Sequence, residues 1–484
     1  MRLAAPLLLA ALPVLCQPDR IAMLNEFAEL LRIPNVARNV DDMRRNAALI
    51  ERMYAKRGIA LTRMEVPGSP PALFGELRVA GAQRTIMLYA HYDGQPVAAS
   101  QWTNGGPFEP ILLDQAGRKL PWPTEDAQLH PEWRLQARSA SDDKAPVIAF
   151  LAALDSGVKP QANLKFFFDG EEEAGSPHAR AILEKYKDRL KADAMIFCDG
   201  PVHQSRRQLV SFGVRGTAAF ELTLHGPARE LHSGHYGNWS PNPALMLAHL
   251  IASMKDEDGR VRVAGFYDDV VPLSEAELRA VREIPEVEDE LKRELLLGAV
   301  EVPGKRLNEL IAIPALNIHG IASASTGAGA RNVIPSTAVA SIGIRLVKGM
   351  DPEKTIDQCI EHIRKRGYFV VEREPTAAER LAHPRVASVR RTRGGTRAVR
   401  VPMDLPLAAT VVRAIEKVRG PVVRQPTGGG TLPIAPFEDV LGIPVIVVPI
   451  ANHDNKQHSH DENIRLQNLW DGVRTLGAVM SASY

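Results

Sequence analysis

Cysteine is nearly missing from this chain of 484 residues, with 3 in all. Cys198 and Cys359 stand far apart in segments assigned below to different domains, so no disulfide framework holds the fold. A surplus of either charge is also missing. The 59 Lys and Arg residues against 57 Asp and Glu leave a formal charge of +2, which gives no electrostatic footprint for a nucleic-acid partner. No apolar run reaches the length of a transmembrane segment. The stretch Leu3 to Leu15, preceded by Arg2, is too short to span a bilayer but suits the core of a secretory signal. With Val14 and Cys16 as the small residues before a cut at Gln17, residues 1–16 are expected to be a signal peptide, and the protein to be exported to the periplasm or beyond. If that stretch is not a signal, the chain is cytoplasmic. Leu15 stands where a lipoprotein signal wants a small residue, which disfavours a lipid anchor. Internal repeats and long low-complexity tracts are absent.

What is present is an ordinary globular composition, 45% hydrophobic and 24% charged, in a chain too long for one usual core. Four short, continuously apolar runs read as buried parallel strands: Thr85 to Ala90, Leu164 to Phe168, Ala194 to Cys198 and Pro444 to Pro449. Helical patterns lie between them, at Asp41 to Arg57, Ala145 to Leu154, Pro177 to Leu190 and Leu407 to Val418. This alternation predicts an α/β domain with a mainly parallel sheet and helices on both faces. The middle of the chain has another rhythm. Thr217 to Leu224 and Thr337 to Leu346 alternate apolar with polar or small residues, as a half-exposed sheet does. Helical stretches at Pro243 to Lys255 and Ser274 to Leu297 are expected to cover one face of it, and the basic run Arg385 to Arg400 reads as a solvated loop. The expected organisation is a catalytic domain over 17–212 and 399–484, interrupted by an α+β lid domain over 213–398.

Each buried strand is followed by acids or histidines: His91 and Asp93, then Glu171 to Glu173, then Asp199, then the histidines after Pro449. Sites in open α/β sheets form at the carboxyl ends of strands, so these residues are expected to converge. Crowded buried carboxylates repel and take up protons unless a cation neutralises them, and no Arg or Lys cluster nearby is positioned to do so. Histidines and carboxylates without cysteine suit Zn²⁺, Mn²⁺ or Co²⁺. For the last ligand, His453 and His460 rival the favoured His458.

Five motifs, His91-Tyr92-Asp93, Ser141-Asp142-Asp143-Lys144, Glu171-Glu172-Glu173-Ala174-Gly175-Ser176, Asp199 and His458-Ser459 with Asp461-Glu462, resemble those of dinuclear metallopeptidases. That family includes carnosinases, cytosolic nonspecific dipeptidases, carboxypeptidase G, acetylornithine deacetylase and succinyl-diaminopimelate desuccinylase. The resemblance implies two divalent metals, zinc first among them, bound by His91, Asp142, Glu173, Asp199 and His458. Asp142 would bridge them, with His91 and Asp199 on one side and His458 and Glu173 on the other. Asp93 would orient His91, and Glu172 would be the general base acting on a metal-bridging hydroxide. Leu231-His232-Ser233-Gly234 resembles a lid motif whose histidine reaches the substrate of a partner subunit, implying a homodimer. Ala330-Arg331-Asn332-Val333-Ile334-Pro335 resembles a second, in which Arg331 would hold a substrate carboxylate. In Gly428-Gly429-Gly430-Thr431-Leu432-Pro433, the backbone of Gly430 and the hydroxyl of Thr431 would do the same.

One departure concerns the bridging loop. Relatives carry Gly-Arg-Gly before the bridging aspartate and Gly after the lysine, whereas this chain has Ala137-Arg138-Ser139 and Ala145. The lid sequences Gly265-Phe266-Tyr267-Asp268 and Pro314 to Gly320 place the resemblance nearest the carnosinase branch, implying hydrolysis of dipeptides or short peptides. An N-acyl-amino-acid deacylase with the same metal core is the alternative, and a catalytically silent peptide-binding protein is the reading from another class. Intact Glu172 and Asp93 argue against the last.

Overall fold

The computed structural model describes residues 19–392 and 394–484, so the expected signal over 1–16 lies outside it. An eight-stranded mixed sheet organises the larger part of the chain. At its centre Asn163–Asp169, Thr85–His91, Ala194–Phe197 and Val445–Val447 lie side by side and parallel. Leu61–Met64 and Ala72–Leu77 extend one edge antiparallel. Leu209–Ser211 and Val423–Gln425 extend the other.

The apolar runs are continuous because both faces of the sheet are covered. Ile86, Leu88 and Ala90 enter one core with Phe166, Phe168, Ile196 and Ile446. Helices Lys144–Asp155, Pro406–Arg419 and Leu466–Met480 supply the other half of that layer. Met87 and Tyr89 point the opposite way, into a second core with Phe167, Phe197 and Phe437, capped by helices Ala179–Lys185 and Ala435–Leu441. None of the helices among the described residues is long and apolar enough to cross a membrane.

The middle of the chain forms a five-stranded sheet in the order Ala315–Ala322, Thr337–Leu346, Gly216–His225, Val386–Arg391, Phe369–Val371. Its central strand alternates buried and half-buried residues. Ala218, Phe220, Leu222 and Leu224 pack with a separate core that includes Leu247, Leu250, Ile356 and Ile360. A short ladder, Gly213–Val214 against Val399–Arg400, joins this part to the large sheet.

Two expectations are corrected here. The stretch Ser274 to Leu297 is not one helix covering the smaller sheet. Pro285, which offers no backbone N–H, separates Glu275–Glu283 from Glu288–Glu294, and the first piece packs on strand Val423–Gln425 of the large sheet. Glu283 reaches Arg424 there at 2.7 Å, while the covering role falls to Pro243–Met254 and Pro352–Lys365. The basic run is not a solvated loop either. Val386–Arg391 is a ladder strand on Gly216–His225, with Val386, Ala387 and Val389 buried beneath its arginines. Arg391 is gripped by Glu353, Asp357 and Glu372, and Arg400 is buried 3.1 Å from Glu277.

Candidate metal centre

The four central strands run parallel, so their carboxyl ends share one edge of the sheet, and His91, the Glu171–Glu173 turn, Asp199 and the loop carrying His458 are delivered there. Asp142 stands between the two histidines. Its Oδ1 lies 3.0 Å from His91 Nε2, and its Oδ2 lies 3.1 Å from His458 Nε2. Glu173 Oε2 is 3.2 Å from His458 Nε2, and Asp199 Oδ2 is 3.9 Å from His91 Nε2. These separations suit cation ligands, since a tetrahedron with bonds of about 2.1 Å has edges of about 3.4 Å.

Asp143 is a member that the sequence reading passed over. With His91 and Asp199 it forms one potential ligand group, while Asp142, Glu173 and His458 form another, the donor atoms of each lying within 4.8 Å of one another. Its Oδ2 accepts the His91 backbone N–H, and its buried Oδ1 has no hydrogen-bond partner. The adjacency of two acids in Ser141-Asp142-Asp143-Lys144 was the available signal. Of the rival histidines, His453 and His460 are exposed and belong to neither group.

Without a cation this cluster is electrostatically costly. Burial, followed by the neighbouring Asp142, pushes the Asp199 carboxyl up to about 7. Burial, helped by Asp169 and Glu173, outweighs the His91 contact and lifts Asp93 to about 6, and burial with Asp199 nearby holds Asp143 well above the ordinary carboxylate range. Asp142 goes the other way, because hydrogen bonds from His458 and His91 overcome the burial penalty. Hydrogen bonds to Asp142 and Glu173 raise His458 to about 10. Neutral carboxyls and charged histidines are what a cation-binding cluster adopts when protons stand in for the metal.

Buried carboxylates behind the cluster fix it in place. Asp93 accepts the N–H groups of Glu172 and Glu173, each at 3.0 Å, and lies 3.3 Å from His91 Nδ1. One side chain thereby sets both the histidine ring and the acidic turn. Glu462, fully buried, accepts from the N–H groups of Ser139, Ser141 and Asp142, the Ser141 hydroxyl and the Arg138 guanidinium, all within 2.7 to 3.0 Å. Arg138 also donates to the Ser459 carbonyl, which ties the Asp142 loop to the loop of His458. Ser139 stands at φ 63°, a conformation natural to the glycine of relatives. The Asn35 amide donates to its hydroxyl at 2.8 Å, so the side chain in glycine's place gains a partner.

The lid residues lie elsewhere. His232 caps the short helix Ser233–Tyr236, its Nδ1 accepting from the Gly234 N–H at 3.0 Å. Arg331 is exposed and pairs with Glu230 at 2.7 Å. The ladder Leu231–His232 against Val333–Ile334 places both on one patch, and neither belongs to either potential ligand group. The glycine-rich loop docks on the joint between the sheets: Gly428 N–H donates to the Gly213 carbonyl, and the Gly430 carbonyl accepts from Arg215 N–H. Thr431 Oγ1 accepts from Arg345 Nη1 at 2.7 Å. Sequence reading had not singled out Arg345. It belongs to an alternating strand, and only the pairing of Thr217 with Arg345 brings it to the joint.

A profile of peptidase family M20/M25/M40 matches residues 87–482. The chain is 27% identical over 423 residues to the Cys-Gly metallodipeptidase DUG1 of Candida albicans, covering 85% of this chain and 81% of that protein. It is 27% identical over 426 residues to the human Beta-Ala-His dipeptidase, covering 84% and 76%. Among solved structures, the M20 family metallo-carboxypeptidase Sso-CP2 from Sulfolobus solfataricus superposes with a TM-score of 0.76 at 25% identity, over 95% of this chain and 98% of that one. Human carnosine dipeptidase 1 shares the fold with a TM-score of 0.71 at 24% identity, over 96% of each chain. The chain is a metallopeptidase and belongs to peptidase family M20/M25/M40.

Proposed function

We propose that this protein hydrolyses dipeptides or short peptides with two divalent cations, Zn²⁺ first among them, held by His91, Asp142, Glu173, Asp199 and His458. The observation that carries the reading is the placement of Asp142, one oxygen on each histidine, with a further acid beside each. Cations bound there would acidify water and polarise the scissile carbonyl. Glu172 is the proton carrier. Burial holds its carboxyl well above the ordinary range, with His91 opposing and Asp199 adding to the rise. Its Oε2 stands 3.9 Å from His91 Nε2, and it belongs to neither ligand group. Cations bound beside it would favour its ionised form, and a carboxylate so placed can take a proton from water and return it to the departing amine. Thr431, the backbone of Gly430 and Arg345 receive the substrate's terminal carboxylate, a task suited to a guanidinium fork.

The experiment is to strip the purified protein with a chelator, reload it with Zn²⁺, Mn²⁺ or Co²⁺, and assay a panel of dipeptides and N-acyl amino acids. Metal-restored turnover of dipeptides is expected. Turnover confined to N-acyl amino acids would make the protein a deacylase, and turnover that survives stripping would remove the metal from the chemistry.

His232 is read as reaching the substrate of a second copy in a homodimer, and Arg331, on the same exposed patch, as a further cation for a substrate carboxylate. His232→Ala is expected to lower kcat by about tenfold or more with unchanged metal content. A protein that sediments as a monomer with full activity would refute the shared site. A signal over residues 1–16, as expected from the sequence, would add export to this reading, checked by fractionation and by the N-terminal sequence of the mature protein.

A further inference from the structure

Four arginines of the described residues are buried: Arg138, Arg215, Arg400 and Arg465. Three have a carboxylate, since Arg138 pairs with Glu462, Arg400 with Glu277, and Arg465 with Asp454 and Glu132. Arg215 is the exception. Its side chain donates only to the Ile313 carbonyl at 3.2 Å, and its buried Nε has no partner. Its charged neighbour is another cation, Arg345; burial, then Arg345, lowers the Arg215 guanidinium to about 10, so it stays charged at neutral pH. A buried guanidinium without a counter-ion is unfavourable unless an anion completes it.

The location says which anion. Arg215 N–H donates to the Gly430 carbonyl, and Arg345 donates to Thr431 of the same loop. The loop, Arg215 and Arg345 therefore form one unit at the joint between the two sheets. We propose that Arg215 is a positioning residue of the carboxylate subsite, a second positive charge behind Arg345 kept free of any acid of the protein so that the C-terminal carboxylate of the substrate supplies the missing negative charge. The proposal rests on the peptidase reading above and adds Arg215, which hydrogen-bonds neither to the metal cluster nor to Thr431, to the residues on which the carboxylate subsite depends. It also explains why an acid is missing from this corner: a carboxylate beside Arg215 would occupy the subsite from within.

The test compares a neutral dipeptide with its C-terminal amide. Arg215→Gln keeps a donor for the Ile313 carbonyl and removes the charge, while Arg215→Lys keeps the charge. In Arg215→Gln the ratio of kcat/KM for the acid over the amide is expected to fall about tenfold, through KM for the acid, with the amide constants little changed. Arg215→Lys is expected to retain most of the preference. Equilibrium titration of both ligands into metal-loaded Glu172→Gln protein, with and without the Arg215 substitutions, gives a readout that does not depend on turnover. An acid-to-amide ratio unchanged in Arg215→Gln would overturn the proposal, as would equal losses in the Gln and Lys variants. A wild-type protein that cleaves no dipeptide would count against the peptidase reading alone, because the titration still decides the role of Arg215.

Discussion

Replacing Glu172 by alanine is expected to lower kcat on a dipeptide about a thousandfold, within the range of general acid–base contributions, while leaving metal content and KM close to wild type. The expectation follows from where the side chain stands. Glu172 and Glu173 are neighbours held by the same carboxylate, that of Asp93, yet only Glu173 reaches His458 and joins a ligand group. Removing the Glu172 carboxylate thus leaves the ligand groups complete and takes away the proton carrier. Glu172→Gln, which preserves the shape, is expected to be as slow as Glu172→Ala, since a carboxamide cannot accept the proton. Metal analysis beside steady-state kinetics decides the case. Parallel loss of metal and activity would make Glu172 a ligand, and near-normal kcat would move the base elsewhere.

Glu462→Ala is expected to reduce unfolding stability by about 3–5 kcal/mol, the cost of orphaning one member of a buried ion pair, and to lower metal affinity at the same time. The substitution strands the Arg138 guanidinium, which is itself buried. It also removes the acceptor for three backbone N–H groups and one hydroxyl. Since one of those N–H groups belongs to Asp142, the loss is felt directly at the residue between the histidines. Urea unfolding of metal-free protein measures the first effect, and competition with a chromophoric chelator the second. A stability loss below about 1 kcal/mol, the scale of a single ordinary hydrogen bond, would show that the loop holds its shape without Glu462.

The cluster was readable from sequence because its members follow buried strands, whose continuous apolar runs mark them without reference to the rest of the chain. The runs gave Thr85–His91, Asn163–Asp169 and Ala194–Phe197 to within a residue at each end, and the acids and histidines after them were then candidates by position. The scaffolding behind the cluster was not readable in this way. Glu462 and Arg138 are 324 residues apart, and no local pattern marks a carboxylate that will collect the N–H groups of a distant loop. Arg215 and Arg345 were silent for the same reason: Arg215 falls between Gly213–Val214 and Gly216–His225, Arg345 lies within Thr337–Leu346, and only the register at the joint makes them neighbours. The misread segments failed on local grounds. In Arg385 to Arg400 the density of arginine hid the buried Val386, Ala387 and Val389 between them. In Ser274 to Leu297 two helical patterns ran on either side of Pro285 and looked like one.

The pairing of Asn463 with Gln136 and the grip of Glu462 on Ser139 join parts of the chain that are synthesised far apart in time. His91 and His458, which share Asp142, are separated by 458 − 91 = 367 positions. The group of Asp142, Glu173 and His458 is therefore complete only once the end of the chain is in place. A growing polypeptide already carries His91, Asp142, Asp143, Glu173 and Asp199, but one flank of Asp142 stays open until the His458 loop arrives. The entropy of closing that long loop is incurred before a cation can return any of it. A cation held by Asp142, Glu173 and His458 would thus mark a chain whose last loop has docked, whereas His91, Asp143 and Asp199 are all made before that loop.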